Sequence, residues 1–329
     1  MKNNIHPVIL VTIVLMSVGC QSSTTTDSQP TTDNPSRGVI GFSVLTLENP
    51  FFSIIADTLT EEAAKYGYQV VVNDAQRNPG TQAKHIDNYI AQKMTAIVIN
   101  PTDRVSIGTA VKRANNAGIP VFTNDLQCVA EGISIAGHIG TDNFQGGRLA
   151  GDVMIEALKS GGKVLILHYK PANSCVLRVD GFRQVINTHN DEVDAGTNTG
   201  RIDIAAELEG GGILAEGYKA TADALQAHPD LAGIFAINDP SALGAWNALE
   251  EAGKQDQIVI IGFDGQLDGK KAIREGKIYA DPIQFPDKMG LVTAQNIIKY
   301  LNGEDFQKIE LIPTKLYRKV DAETDPKLP

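Results

Sequence analysis

Polar side chains suited to holding a hydroxylated ligand recur in this sequence directly after apolar, strand-like runs. The stretches at these positions are 48–52, 74–77, 100–103, 124–127, 169–178, 238–239, 264 and 284. Most of their members are Asn, Asp, Gln or Arg, whose planar polar groups can each bond two neighbouring hydroxyls in a fixed direction. Because ligands of open α/β sheets bind outside the carboxyl ends of the strands, we expect these side chains to meet in one binding site.

Several of these residues also have a purely structural interpretation when each is taken alone. Asp142 and Asp264 at strand ends would cap the next helix. Arg178 at a helix start would be a solvated charge, and Asn100 before Pro101 would shape a turn. Their recurrence at the same end of both predicted sheets favours the ligand site.

The first of these stretches follows a predicted strand over 39–45 and carries two adjacent aromatic residues, Phe51 and Phe52. Pro50 fixes its own φ and biases Asn49 towards extended geometry, so the loop is partly ordered before any ligand arrives. Two aromatic faces beside a carboxamide and a carboxylate suit a sugar, which is apolar on one side and hydroxylated on the other. Both Phe residues equally fit the core of the following helix, and this stretch alone leaves the two interpretations open.

Length and charge restrict the classes of partner. The chain has 329 residues, enough for two domains, and a formal net charge of -10 at pH 7. This charge argues against nucleic acid or an anionic membrane surface as partner, because both repel an acidic protein. Small neutral ligands stay open.

The N-terminus forms a separate segment that resembles a bacterial lipoprotein signal. Lys2 precedes an apolar run over 8–18 that is too short to span a bilayer comfortably, and small residues at 17–19 precede Cys20. The resemblance implies that residues 1–20 are the signal region and that Cys20 becomes the lipidated first residue of the mature chain. Ser17 stands where such signals commonly have Leu, and an ordinary cleavable signal or a short anchor is the alternative. Residues 21–36 are polar without periodicity and are predicted to be a flexible tether.

From Arg37 onward a unit of strand, loop, helix and glycine recurs about every thirty residues, which is typical of βαβ crossovers. The strands are nearly continuous apolar runs, as in parallel sheets covered by helices on both faces. We therefore predict an α/β fold with two consecutive lobes. A helix is predicted to start at Arg178 and end near His189, the region 191–212 has no readable element, and 309–318 is a last β-prone segment.

Signatures of cofactor, metal and hydrolase chemistry are missing from the sequence. No Gly-x-Gly-x-x-Gly follows a strand, and neither His-Glu-x-x-His nor Gly-x-Ser-x-Gly occurs. His138 and His168 are spaced unlike a compact metal motif together with the later cysteines, so structural His is the stronger interpretation. Nothing pairs a nucleophile with a base, and we expect no enzyme activity, cofactor or metal. Cys128 and Cys175 are expected to be buried thiols, with a disulfide as the alternative.

Collinear motifs along the chain resemble the periplasmic ribose-binding protein and its relatives, the substrate-binding components of bacterial sugar ABC transporters (type I periplasmic binding proteins). The motifs are Asn49-Pro50-Phe51-Phe52, Asn100-Pro101-Thr102-Asp103, Arg178-Val179-Asp180-Gly181-Phe182, Asn238-Asp239, Gly262-Phe263-Asp264-Gly265 and Gln284-Phe285-Pro286-Asp287. They cover almost everything after the tether.

The resemblance implies two Rossmann-like lobes with parallel sheets and a hinge of three chain segments. The first lobe would comprise 37–141 with 285–313, and the second 142–284 with 314–322. The family's sugar-contacting residues correspond, position by position, to Asn49, Phe51, Phe52, Asp125, Arg178, Asn238, Asp264 and Gln284. The phenyl rings would stack on the sugar while the other side chains bind its hydroxyls.

Two departures from the ribose pattern affect the expected ligand. Leu126 follows Asp125 where the pattern has Arg, and a further aromatic is missing near 210–212, where Tyr169 is a candidate replacement. Losing a charged donor changes the hydrogen bonds that a site can make, which argues against ribose itself as the ligand. We therefore expect another pentose, a hexose or a polyol.

The resemblance also implies partners and a location. The protein would be a monomeric, lipid-anchored protein of the periplasm or cell envelope that delivers a sugar to an ABC permease by hinge closure. The alternative is a sensing protein that reports to a chemoreceptor or sensor kinase. A related transcriptional regulator would need a basic helix-turn-helix at the N-terminus, where the lipoprotein-like signal stands instead.

Overall fold

A computed structural model describes residues 37–328. In chain order the elements are β1 (Gly38–Val44), α1 (Pro50–Lys65), β2 (Tyr68–Asp74), α2 (Pro79–Ala91), β3 (Ala96–Ile99), α3 (Gly108–Asn116), β4 (Val121–Asn124), β5 (Gly137–Thr141), α4 (Asn143–Ala157), β6 (Gly162–His168), α5 (Asn173–Asp194), β7 (Ile202–Glu209), α6 (Leu214–Ala227), β8 (Leu231–Ala236), α7 (Asp239–Glu251), β9 (Val259–Ile261), α8 (Leu267–Glu275), β10 (Ala280–Ile283), α9 (Pro286–Asn302), β11 (Ile309–Ile312), β12 (Lys315–Arg318) and α10 (Lys319–Thr324). The predicted lipid site Cys20 and the tether 21–36 lie outside the described residues.

The strands form two six-stranded sheets, ordered β2-β1-β3-β4-β5-β11 and β7-β6-β8-β9-β10-β12. Every strand pair is parallel except β10 with β12. The chain leaves the first sheet after β5, returns through α9 to β11, and then adds β12 to the second sheet before α10. This arrangement confirms the predicted α/β fold of two lobes with parallel sheets.

Local sequence explains where the helices begin on the cavity side. The side chain of Asn49 caps α1 by accepting a hydrogen bond from Phe51 N, and Pro50 occupies the first turn, where its missing N–H costs nothing. Asp142 caps α4 by accepting from Gln145 N, 3.0 Å away, which confirms the capping interpretation for this residue. Both helices therefore start after a strand, β1 for α1 and β5 for α4, at the carboxyl edge of the first sheet.

Parts of the predicted element pattern are wrong. The helix expected to start at Arg178 begins at Asn173 without a side-chain cap, and it continues to Asp194. The unreadable region holds β7, an edge strand whose apolar residues are mostly half-buried and are interrupted by Asp203, Glu207 and Glu209. The segment 309–318 holds two strands, one in each sheet.

Two further observations concern the thiols and the membrane. Cys128 and Cys175 are both unpaired, as expected, although only Cys175 is buried and Cys128 is half-buried. Within 37–328, no helix is both long and apolar enough to cross a membrane.

Candidate functional site

The predicted ligand-contacting residues line one cavity of about 50 Å³ between the two sheets. Its lining includes the eight residues that the family resemblance indicated: Asn49, Phe51, Phe52, Asp125, Arg178, Asn238, Asp264 and Gln284. Of the other expected stretches, 74–77 contributes only Arg77 and 100–103 contributes none. The eight residues come from the carboxyl ends of β1, β4, β8, β9 and β10, from the first turn of α1 and from the second turn of α5. The structure therefore brings together residues that are far apart in the sequence.

Phe51 and Phe52 belong both to the cavity wall and to the hydrophobic core. Their rings meet edge to face with centroids 5.4 Å apart, and both side chains are buried. Edge-to-face packing fixes the orientation of each ring. The two interpretations that the sequence left open are thus compatible, because the helix that packs these rings also presents them to the cavity.

Asp125 is the most unusual group in the cavity. It has a left-handed backbone (φ 56°), it is 4% exposed, and its Oδ1 has no hydrogen-bond partner among the described residues. Burial raises the pKa of Asp125 to about 7; Arg178 opposes that rise and Asp264 adds to it. A buried acceptor without a partner favours a ligand that donates a hydrogen bond at this point.

Arg178, Asp264 and Gln284 form a buried network on the second-lobe side. Nη1 of Arg178 donates to Asp264 Oδ1 at 3.0 Å and to the carbonyl oxygen of Ile237 at 2.7 Å. Nε2 of Gln284 donates to the same Asp264 oxygen at 2.5 Å, and Thr141 Oγ1 donates to Gln284 Oε1 at 2.5 Å. Asp264 does not cap a helix, so that alternative is wrong. Instead it lies at the centre of the network.

The charges in this network are balanced by direct contact. Burial raises the pKa of Asp264, while the adjacent Arg178 and the hydrogen bonds from Gln266 and Gln284 lower it. The guanidinium of Arg178 also lies 3.8 Å from the ring centroid of Phe263 and donates through Nε to Asn143. Arg178 is therefore not a solvated charge, and its position is fixed from several sides.

Asn238 is both a helix cap and a cavity residue. Its Oδ1 accepts from Ser241 N at 3.1 Å, and its Nδ2 donates to the carbonyl oxygen of Gly212 at 3.0 Å. The amide therefore has a fixed orientation at the start of α7.

Arg77, which the strand-end rule selected but the set of predicted ligand-contacting residues left out, is a wall residue of the cavity. Its Nη1 and Nη2 donate to the carbonyl oxygens of Gly211 and Gly212 at 3.0 and 3.3 Å, and its guanidinium lies 5.9 Å from the ring centroid of Tyr169. Tyr169 lines the cavity. The only sequence signal for Arg77 was its place in the polar stretch 74–77.

Contacts between segments of the two lobes close the cavity on one side. Besides the bonds of Arg77, Arg104 N donates to the carbonyl oxygen of Pro171 at 3.0 Å, and Asn173 Nδ2 donates to Gln127 Oε1 at 2.7 Å. On the other side, a groove of about 660 Å³ shares Asn49, Phe51, Arg77, Gly212, Asp264 and Gln284 with the cavity. The structure is thus a closed arrangement with a groove beside its inner cavity.

The suspected histidines do not assemble a metal site. Nδ1 of His138 lies 2.9 Å from Thr123 Oγ1, and burial lowers the pKa of His138 to about 4. Nδ1 of His168 accepts from Tyr169 N at 2.7 Å. Over the residues that the structure describes, no group of His, Cys, Asp or Glu is arranged to hold a metal ion.

The sequence of this chain is similar to a known protein family and to curated relatives. Residues 40–305 match the periplasmic binding protein domain. A ribose import binding protein of Escherichia coli K12 is 36% identical over 281 residues, spanning 85% of this chain and 90% of the relative. A ribose import binding protein of Bacillus subtilis is 31% identical over 318 residues, spanning 96% of this chain and 99% of the relative.

A solved structure shares the architecture. It is an ABC transporter solute binding protein from Bacillus halodurans with bound myo-inositol, with a TM-score of 0.78 and 25% identity, covering 89% of this chain and 98% of that one.

Proposed function

Since this chain belongs to the periplasmic binding protein family, we propose that it is the substrate-binding component of a bacterial ABC sugar importer. It binds one monosaccharide or polyol between its two lobes and performs no chemistry on it. The observation that carries this proposal is the convergence of separate strand ends on one small cavity with two aromatic rings and a set of oriented polar groups. Such a wall matches a ligand with an apolar face and hydroxylated edges.

The ligand is a pentose, a hexose or a polyol. Named relatives import ribose, and a solved relative holds myo-inositol. Leu126 lines the cavity beside Asp125, so an apolar wall stands where the ribose pattern has a cation. A site that lacks this donor recognises a different set of hydroxyls, which disfavours ribose itself.

Binding operates through lobe closure. The moving halves are 37–141 with 285–313 and 142–284 with 314–322. A ligand that contacts both halves binds the closed form better and shifts the equilibrium towards it. The bonds of Arg77 to Gly211 and Gly212 assist, because they exist only when the halves meet.

Delivery takes place at a membrane permease. The monomeric protein is anchored in the cell envelope through lipid on Cys20, which raises its concentration near the transporter. Labelling of wild-type cells with a fatty-acid analogue, and loss of the label in Cys20→Ala, tests this anchoring.

A thermal-shift screen of the purified protein against pentoses, hexoses and polyols tests the binding function. A ligand at a hundred times its dissociation constant adds about 2.7 kcal/mol to the free energy of unfolding. A cognate ligand raises the melting temperature in proportion to the logarithm of its concentration. A complete lack of shift across all three classes would overturn the proposal.

A further inference from the structure

A pair of buried carboxyl groups, those of Asp239 and Asp281, lies behind the ligand-facing wall. Asp239 is the first residue of α7, next to the cavity residue Asn238, and Asp281 lies in β10. Their side chains are 1% and 0% exposed, and the two carboxyl groups are in hydrogen-bonding contact with each other. Two carboxyl groups can make such a contact only when a proton lies between them.

The surroundings supply few donors to this pair. Gln266 N donates to Asp239 Oδ2 at 2.6 Å, whereas Asp239 Oδ1 and both oxygens of Asp281 accept no hydrogen bond of good geometry from the other described residues. The Gly262 N–H lies near Asp281 but donates to the carbonyl oxygen of Ala280 at 3.2 Å. Two ionised carboxylates in this buried position would repel each other strongly. A single shared proton removes the repulsion and gives the orphan oxygens a hydrogen bond.

Among the described residues, the charged group outside the pair that acts on both of its members is another carboxyl and not a cation. This group is Asp264, whose charge raises the pKa of both members. The charged groups on α8 and β12 contact other partners. Lys270 and Tyr317 both contact Asp325, and Arg274 acts on Tyr317. Lys271 pairs with Asp268, Arg318 pairs with Glu156, and Lys315 is exposed.

Glycines provide the space that the pair occupies. A Cβ on Gly269 would lie 2.1 Å from Asp239 Oδ1, and a Cβ on Gly262 would lie 2.5 Å from Asp281 Oδ1. Any larger residue would displace the carboxyl groups. The contact between them is therefore fixed by the backbone of α8 and of the segment after β9.

Gln266 connects the pair to the ligand site. Its backbone N–H bonds Asp239, and its side-chain Nε2 donates to Asp264 Oδ2 at 3.2 Å. Asp264 in turn lines the cavity. A change in the charge of the pair therefore reaches the ligand-facing carboxylate through one residue.

We propose that Asp239 and Asp281 share one proton and act together as positioning residues, holding Gln266 against Asp264 so that Asp264 keeps its orientation towards the ligand. The step to the ligand rests on the proposed sugar-binding function, whereas the shared proton does not. Burial raises the pKa of Asp281 to about 7, with Asp264 adding to the rise and with Asp239 and the Gly262 amide opposing it. Burial is also the main cause that raises the pKa of Asp239, followed by the charge of Asp281.

Infrared spectroscopy of the purified protein at pH 6 tests the shared proton without any ligand. The carbonyl band of a protonated carboxyl group is expected in the wild type and in the exposed control Asp223→Asn. It should lose intensity in Asp281→Asn, whose amide donates to Asp239 without a titrating proton. Asp239→Asn should lose the same band, which keeps the test valid if one variant does not fold. Spectra that are identical in wild type and variants would overturn the proposal.

The pH profile of binding tests the positioning role. With D-ribose and myo-inositol as probes, the wild-type dissociation constant should rise by up to about tenfold per pH unit once the shared proton is lost. Asp281→Asn should show a flatter profile, since only Asp125 and Asp264 still titrate near the ligand. Equal slopes in both proteins would overturn the positioning role. If neither probe nor any other sugar binds at any pH while the infrared band is weaker in Asp281→Asn than in the wild type, the proposed function fails and the shared proton stands.

Discussion

The guanidinium of Arg77 donates to the carbonyl oxygen of Gly212 across the cleft at 3.3 Å. Arg77 follows β2 of the first sheet, and Gly212 follows β7 of the second sheet, so this bond joins the two halves of the molecule. The same Gly212 carbonyl accepts from Nδ2 of Asn238. A first-lobe cation and a second-lobe cavity residue thus meet on one backbone oxygen, which couples closure of the lobes to the geometry of the site.

Removing this bond should weaken ligand binding. Arg77→Ala loses two charge-assisted bonds that exist only in the closed form, at about 1 to 2 kcal/mol or a roughly five- to thirtyfold weaker affinity. Calorimetric titration with the cognate sugar measures this loss. Arg113→Ala, which removes an exposed ion pair with Asp87, is the control and should bind normally. Equal affinities for both variants would show that Arg77 does not hold the halves together.

Neutralising Asp125 should increase the stability of the protein at pH 8 and weaken ligand binding. The folded-state pKa of about 7 lies above the usual value of 3.8, so the wild type loses stability as pH rises from about 4 to 7. Asp125→Asn should therefore be more stable than wild type at pH 8, by about 1 to 3 kcal/mol, and similar to it at pH 4. Asn also tolerates the left-handed backbone at this position.

Urea unfolding at both pH values measures the effect of Asp125→Asn, with Asp223→Asn as the control. The same variant should bind ligand more weakly, because it loses the ligand-facing carboxylate. A destabilised Asp125→Asn protein at pH 8 would contradict the buried, unpaired state of this group.

His138 should make the protein sensitive to acid. Burial holds its folded-state pKa at about 4, below the usual 6.5, so the unfolded chain binds the additional proton between these values. The free energy of unfolding should fall by about 3 kcal/mol as pH drops from 6.5 to 4. The slope of unfolding free energy against pH should be shallower in His138→Gln. An unchanged slope in that variant would assign the acid sensitivity to other groups.

Leu126 should influence which sugar is preferred. Leu126→Arg places a cation beside Asp125, which should lower the pKa of Asp125 and move the ratio of dissociation constants towards D-ribose over myo-inositol. Leu126→Met, which keeps the volume and the apolar character, is the matched control and should leave the ratio unchanged. If Leu126→Arg folds and the ratio does not move, position 126 does not determine specificity.

The convergence of the site was predictable because it depends on one rule: the carboxyl ends of parallel strands share an edge. Asn49, Asp125, Asn238 and Asp264 each follow an apolar run, and the structure brings them together for that reason. By contrast, β7 was not predictable, since acidic residues interrupt the apolar run of this half-buried edge strand.

Two kinds of contact could not be predicted from the sequence: contacts of a side chain with a distant backbone carbonyl, and contacts between two carboxyl groups. Arg77 binds the carbonyl oxygen of Gly211, 134 positions away, and a carbonyl group leaves no trace in the residue type. Asp239 and Asp281 carry the same charge, so nothing in their sequence suggests that they meet. The first contact depends on the tertiary fold, and the second depends on the fold and on a bound proton. The order of residue types along the chain indicates neither of them.

The central claim is that the polar groups around Asp264 hold one hydroxylated ligand, and calorimetric titration of wild type beside Asp264→Ala tests it most directly. With a panel of pentoses, hexoses and polyols, the wild type should bind one ligand per chain, and Asp264→Ala should show no binding while its circular dichroism remains native. Saturable sugar binding that is equally tight in Asp264→Ala would place the ligand elsewhere and contradict the account.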